Sequence, residues 1–321
     1  MMVAGGDGTT LSFQGGFITF PAATFAADPR GKLITSPAGD VVTTTESPVL
    51  RGPTEVSRPY YDAAEDRWLP IAAAKTSPDG ASYAYATTGA ASADGVTFHV
   101  VSVASGAERT ITVPVPNVGA ANGADVEDFD GTSIYFAVTQ VEGYPTGVWR
   151  LETGTGKVSA MQRVENVFAV RNGSAYIGYA DPHDANPPSV PASIRLFDSL
   201  VQVDLATGAR TTWFYRPGFA VWLSALDAAG RPVVAVSGGP NFVINPPDEL
   251  RRLNDPLSGG EDNGDLVYSG GMWFDQPQPD GDRIWLGNDR GIYLYTPSGG
   301  LEKVYAFSGP HQSVFPAGFC T

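Results

Sequence analysis

A glycine-ended turn recurs along this chain ahead of short strand-like runs, and that recurrence limits the folds open to it. Asp79-Gly80 precedes "SYAYAT", Asp130-Gly131 precedes "SIYFAV", and Asn172-Gly173 precedes "SAYIGY". Ala229-Gly230 precedes "PVVAVS", and Asp280-Gly281 precedes "RIWLGN". Arg30-Gly31, before "KLITS", is read as a sixth copy. Glycine supplies the positive φ of a hairpin turn, and Asp or Asn tolerates the place before it. The glycines at 31, 80, 131, 173, 230 and 281 are spaced by 49, 51, 42, 57 and 51 residues. Six turns at one average period describe a repeat.

A second landmark lies later in most units. "FHVVSVASGAERTITV" (98–113), "GVWRLETGTGKVSAM" (147–161), "LVQVDLATGARTTWF" (200–214) and "GIYLYTPSGGLEKVYAF" (291–307) each hold a strand, a glycine turn and another strand. "PYYDAAEDRWLPI" (59–71) is the first unit's version. Four antiparallel strands in about 50 residues make one blade of a β-propeller. The chain of 321 residues therefore predicts an all-β propeller of four-stranded blades, six favoured and seven the alternative. Its surplus lies at the ends. "TLSFQGGFITF" (10–20) and "SVFPAGF" (313–319) are expected to pair and close the ring, since an open ring leaves strand edges exposed. Helical spacing is nearly absent. "PDELRRLN" (247–254), with Pro247 first and Asp248 and Glu249 in the opening turn, predicts one or two helical turns inside a loop.

"TSPDGASYAYAT" and "PQPDGDRIWLGN" resemble the Pro-Asp-Gly strand pair of TolB-type, WD40-like propellers, and "VQVDLATGARTTW" resembles the outer half of such a blade. The resemblance spans most of residues 30–307 and implies the fold. The Gly-His and Trp-Asp pairs of true WD40 repeats are missing. The wider group holds peptidase-linked propellers, lyases and plain binding modules, so the resemblance leaves function open.

A net charge of −14, with no Lys/Arg cluster to offset it, disfavours nucleic acid and anionic membrane surfaces. The lone cysteine, Cys320, allows no intrachain disulfide and no CxxC metal site. No apolar run is long enough to cross a bilayer. Scarce lysine and turns rich in Gly, Pro, Ser and Thr lean toward an extracellular or periplasmic bacterial protein whose export signal is not in this sequence, with the cytoplasm as the alternative.

In such a fold, the connections between a blade's second and third strands open on the same face as those between blades. Two of the former, at 180–199 and 237–264, are far longer than a hairpin needs, as binding loops and lids often are. Both are expected to flank the channel on one face. The first carries Asp181, His183 and Asp184; a histidine beside carboxylates can move protons near neutral pH or ligate a metal. His311 lies in a between-blade connection on the same face. Trp273, beside Gly270-Gly271, is the tryptophan best placed to stack on a ligand, whereas Trp222 and Trp285 fall on strands where aromatics pack between blades. His99, alternating with Phe98 and Val100, is read as a surface residue. Asp125 and Glu127, in "DVEDFDG", are candidate oxygen ligands for Ca²⁺ or another cation, although Phe129 breaks the EF-hand spacing.

Two functions follow. The first is an exported, monomeric binding module that holds a protein, peptide or glycan on the long-loop face through Trp273, His183 and His311, with no cofactor. The alternative is a hydrolase or lyase in which His183, Asp181, Asp184 and His311 serve as acid, base or metal ligands.

Overall fold

A computed structural model describes residues 2–6, 11–53, 59–87, 95–114, 123–139, 147–161, 164–180, 196–238, 247–257, 263–307 and 313–318. It forms a six-bladed β-propeller. Four blades are regular four-stranded antiparallel sheets, with strands in chain order from the axis outward. Blade 3 holds Gly123–Phe129, Ser133–Thr139, Val148–Glu152 and Val158–Ala160. Blade 4 holds Val167–Arg171, Ser174–Tyr179, Ser199–Asp204 and Arg210–Tyr215. Blade 5 holds Ala220–Leu226, Pro232–Ser237, Glu249–Arg252 and Asp265–Ser269. Blade 6 holds Asp275–Asp280, Arg283–Asn288, Gly291–Thr296 and Gly300–Ala306.

Blade 2 has three full strands, Ser82–Ala86, Val96–Ser102 and Glu108–Val113. Its inner edge is a 3-10 turn at Ala73–Lys75 followed by a single bridge from Thr76 to Tyr83. Blade 1 is assembled from both ends of the chain. Ser313–Phe315 pairs with Met2–Gly6, which continues into Leu11–Thr19, Thr24–Thr35, Val41–Thr43 and Arg51–Gly52. The hairpin Tyr60–Asp62 and Arg67–Leu69 is a separate two-stranded sheet beside it.

The apolar clusters lie between blades, which explains the sequence pattern. Phe98 of blade 2 packs on Phe136 of blade 3, their ring centres 4.7 Å apart. Val148 of blade 3 joins Ile177 and Val203 of blade 4, and Tyr176 and Phe214 of blade 4 join Val234 of blade 5. A sheet packed on both faces needs apolar side chains on both. "PVVAVS" accordingly is buried at all six positions.

Five of the six expected turn glycines have positive φ and lead from a blade's inner edge into its next strand: Gly80, Gly131, Gly173, Gly230 and Gly281. These turns also dock onto the neighbouring blade. Asp128 accepts a hydrogen bond from the Asn172 amide at 3.1 Å. Tyr176 Oη donates to the Gly230 carbonyl, and an Arg252 guanidinium nitrogen donates to the Gly281 carbonyl, both at 2.6 Å. Gly31 is different. It lies inside Thr24–Thr35, where an added Cβ would stand 2.7 Å from the Gly15 Cα, so close backbone approach replaces the expected turn.

Two further expectations are corrected. Residues 247–254 hold a strand, Glu249–Arg252, and no helical turn. The open edge of Pro232–Ser237 takes it up, and its alternation buries Leu250 and Arg252. The segment 237–264 is thus two connections, 238–248 between the second and third strands and 253–264 between the third and fourth, which leave opposite ends of the blade. Ring closure by the two ends holds, but Ser313–Phe315 pairs directly with Met2–Ala4, not with residues 10–20. Those residues form the next strand, and Phe13 reaches Phe315 only through a ring contact at 6.4 Å.

Closure carries a measurable load. Val314 and Phe315 are 0% and 3% exposed, and burying two such side chains contributes about 3–6 kcal/mol. Deleting residues 313–321 should therefore lower the melting temperature markedly by circular dichroism; an unchanged transition would contradict closure through this strand.

Candidate functional site

Side chains of an inner propeller strand alternate toward the two neighbouring blades, so a regular inner strand shows mainly its backbone edge to the channel. This propeller breaks that alternation at one level. The inner strand of blade 3 shifts register between Val126 and Asp128, leaving Glu127 as the extra residue of a β-bulge. Equivalent shifts leave out Phe168 in blade 4, Ser224 in blade 5 and residues 276–277 in blade 6. A bulge inserts an unpaired residue and re-aims its side chain. Glu127, Phe168, Ser224 and Pro277 all line one cavity of about 650 Å³.

The cavity runs along the axis, with walls from the inner strands of blades 3 to 6, the Ala73–Lys75 turn of blade 2, Tyr60 of the hairpin and Pro316. Trp222, Trp273 and Phe274 line it toward the start of the inner strands, the end onto which the second-to-third-strand connections open. Arg171 and Asp227 line it at the opposite, tight-turn end.

The acidic stretch of blade 3 is divided among three surroundings. Asp125 turns toward blade 2, where Lys75 Nζ donates to it at 2.6 Å. Asp128 turns toward blade 4 and takes Arg171 at 3.3 Å together with the Asn172 amide. Glu127, between them, faces the cavity, and no hydrogen bond from another described residue reaches its carboxyl. Its side chain is half-buried, at the wall of the cavity. Burial, then the charge of Asp125 and, more weakly, that of Asp128, push its pKa up to about 8, against the opposing pull of Lys75. Glu127 thus holds a proton near neutral pH.

Trp273 lies where the sequence places it, between blades 5 and 6 after Gly270-Gly271, and is 46% exposed. Asn288 Nδ2 donates to its carbonyl at 3.4 Å, while its indole has no ring contact with a described residue. Trp285 is core, packed with Ile292 and Val314; Trp222 lines the cavity instead of only packing between blades. His99 is no free surface residue, since its ring stacks on Tyr85 at 4.5 Å and meets the Glu108 carboxylate. Asp181, His183, Asp184 and His311 lie outside the described residues. Among the described residues, no three His, Cys, Asp or Glu side chains converge as a metal site. Phe168, Ser224 and Pro277 have no chemical signature in the sequence; only strand register brings them to the axis.

No family model matches the chain, and no curated protein matches it. Among solved structures it is similar to a prolyl endopeptidase, with a TM-score of 0.50 and 11% identity over 94% of this chain and 42% of that one. It is also similar to an oligogalacturonate lyase in complex with manganese (TM-score 0.47, 12% identity, 94% of this chain and 74% of that one). A third is TolB from Acinetobacter baumannii (TM-score 0.44, 12% identity, 85% of this chain and 59% of that one). This chain therefore spans less than half of the endopeptidase it matches.

Glu127 also gives a pH signature. Its folded pKa lies above the ordinary value of 4.5, so from about pH 4.5 to 8 the unfolded chain binds fewer protons and stability falls as pH rises. The stability contribution is fully present below the unfolded pKa and lost above about 8. Glu127→Gln should melt like the wild type near pH 5 and progressively higher toward pH 8; identical pH profiles for the two proteins would contradict this. The chain is a six-bladed β-propeller.

Proposed function

We propose that residues 1–321 form one propeller domain acting as an exported, monomeric binding module. It holds a protein, peptide or glycan at the axial mouth on the face of the second-to-third-strand connections. One observation carries this reading: an exposed tryptophan, Trp273, stands beside an axial cavity. An apolar, aromatic-walled concavity with few polar groups is the usual form of a ligand site. Large aromatics concentrate binding energy at such places. The extracellular or periplasmic setting is supported by the scarce lysine and by turns rich in Gly, Pro, Ser and Thr. Among the described residues, no helix is long and apolar enough to cross a membrane.

The enzyme reading retains one supporting observation. Glu127 carries its proton near neutral pH, as a general acid must. A hydrolase or lyase working at this mouth would lose turnover in Glu127→Gln while still binding its substrate, with His183, His311, Asp181 and Asp184 as the further groups to replace.

Peptide and glycan arrays probed with labelled protein test the binding reading. Trp273→Ala should weaken each bound ligand tenfold or more, about 1.4 kcal/mol, with an unchanged melting temperature. Thr211→Ala, on the exposed outer strand of blade 4, should bind as the wild type does. Ligands held at full strength by Trp273→Ala would overturn the assignment.

A further inference from the structure

Glu127 is the one member of the acidic stretch left without a partner among the described residues. Of the cations beside it, Lys75 is held by Asp125 and Arg171 by Asp128. The β-bulge turns Glu127 away from both flanking blades and into the cavity. A carboxylate in such surroundings is costly unless a positive charge or several donors meet it. Its half-buried side chain lines the cavity.

The cavity walls suit a cation as well. Phe168, Trp222, Trp273 and Phe274 line it, and an aromatic face attracts an ammonium or guanidinium group. Its volume of about 650 Å³ falls within the range of small-ligand sites, about 300–1,000 Å³. Among the described lining residues Glu127, Asp227 and Asp275 are acidic and Arg171 is basic. Asp227 is already bound by Arg231 at 2.7 Å, and Asp275 is not without a partner of its own. The net charge of −14 favours approach of a positive ligand.

We infer that the axial cavity receives an ammonium or guanidinium group of the ligand, such as a lysine or arginine side chain, seated against the Glu127 carboxylate between aromatic walls. This deepens the axial-mouth reading and rests on it. The step is proton exchange and ion pairing, with no covalent change. Glu127 gives up its proton to solvent, and the ligand's cation takes its place as the partner. Asp125 with Lys75, and Asp128 with Arg171, remain paired on either side.

Three small probes decide the matter: N-acetyl-lysine methylamide, N-acetyl-arginine methylamide and the neutral N-acetyl-norleucine methylamide, titrated near neutral pH at low salt by tryptophan fluorescence. The lysine and arginine probes should bind at least tenfold tighter than the norleucine probe. Glu127→Gln should erase that preference while leaving the norleucine affinity unchanged. Ser224→Lys, which brings a tethered ammonium into the same cavity, should erase it independently in a background that keeps Glu127. Melting temperatures establish that each variant is folded. Equal affinity for all three probes, a preference that survives in Glu127→Gln, or no binding of either cationic probe at millimolar concentration would each overturn the inference. Equal affinities that Trp273→Ala still lowers would remove the cation and leave the axial mouth standing. A Glu127-dependent preference indifferent to Trp273→Ala would instead fault the role given to the mouth.

Discussion

Pairing of Ser313–Phe315 with Met2–Ala4 is the constraint on which the rest of the molecule depends. Each blade is apolar on both faces, so a blade can be buried only between two neighbours. A row of such blades would leave one wet face at each end, and bending the row into a ring removes both at once. The chain achieves this by placing its last described strand at the inner edge of its first sheet. Val314 then packs with Trp285 and Ile292 of blade 6, while Phe315 packs with Phe13, Leu33 and Trp68. The extended hairpin around residues 19–24 adds to the seam, with Phe20 against Trp285 at 5.7 Å and Phe25 against Tyr305 at 6.5 Å.

Closing the ring creates a channel, and the inner strands determine what faces it. Regular strands would present peptide groups; the aligned bulges present Glu127, Phe168, Ser224 and Pro277 instead. In blade 3 the same irregularity sorts three carboxylates, sending Asp125 to the preceding blade, Asp128 to the following one and Glu127 to the axis. Two of them tie blades together. The third has no structural partner among the described residues, and burial together with the charges of Asp125 and Asp128 outweighs the pull of Lys75 and keeps its proton on.

What the sequence discloses here depends on how local the cause is. A positive φ is a property of one residue, so Gly80, Gly131, Gly173, Gly230 and Gly281 announce the blades without any knowledge of packing. Gly31 looks the same in sequence but owes its glycine to the Gly15 backbone crossing over it, a contact no local pattern reveals. The strand Glu249–Arg252 was hidden for a related reason: its pairing with Pro232–Ser237 overrides a helix-like opening at Pro247. Trp273 was legible through the glycine pair before it. The acidic run around Glu127 was legible as chemistry but not as geometry. Whether a carboxylate meets a lysine, an arginine or a cavity depends on a one-residue slip against Ser133–Thr139.

The account's central claim is that a carboxyl without a protein partner waits at the propeller axis for a positive group. Counting protons on binding tests it most directly, by calorimetric titration of N-acetyl-lysine methylamide near neutral pH in two buffers of different ionisation enthalpy. Because burial and the neighbouring carboxylates push the Glu127 pKa up to about 8, binding should release about one proton per ligand in the wild type and none in Glu127→Gln. Binding with no proton released, or with the same release after Glu127→Gln, would contradict it.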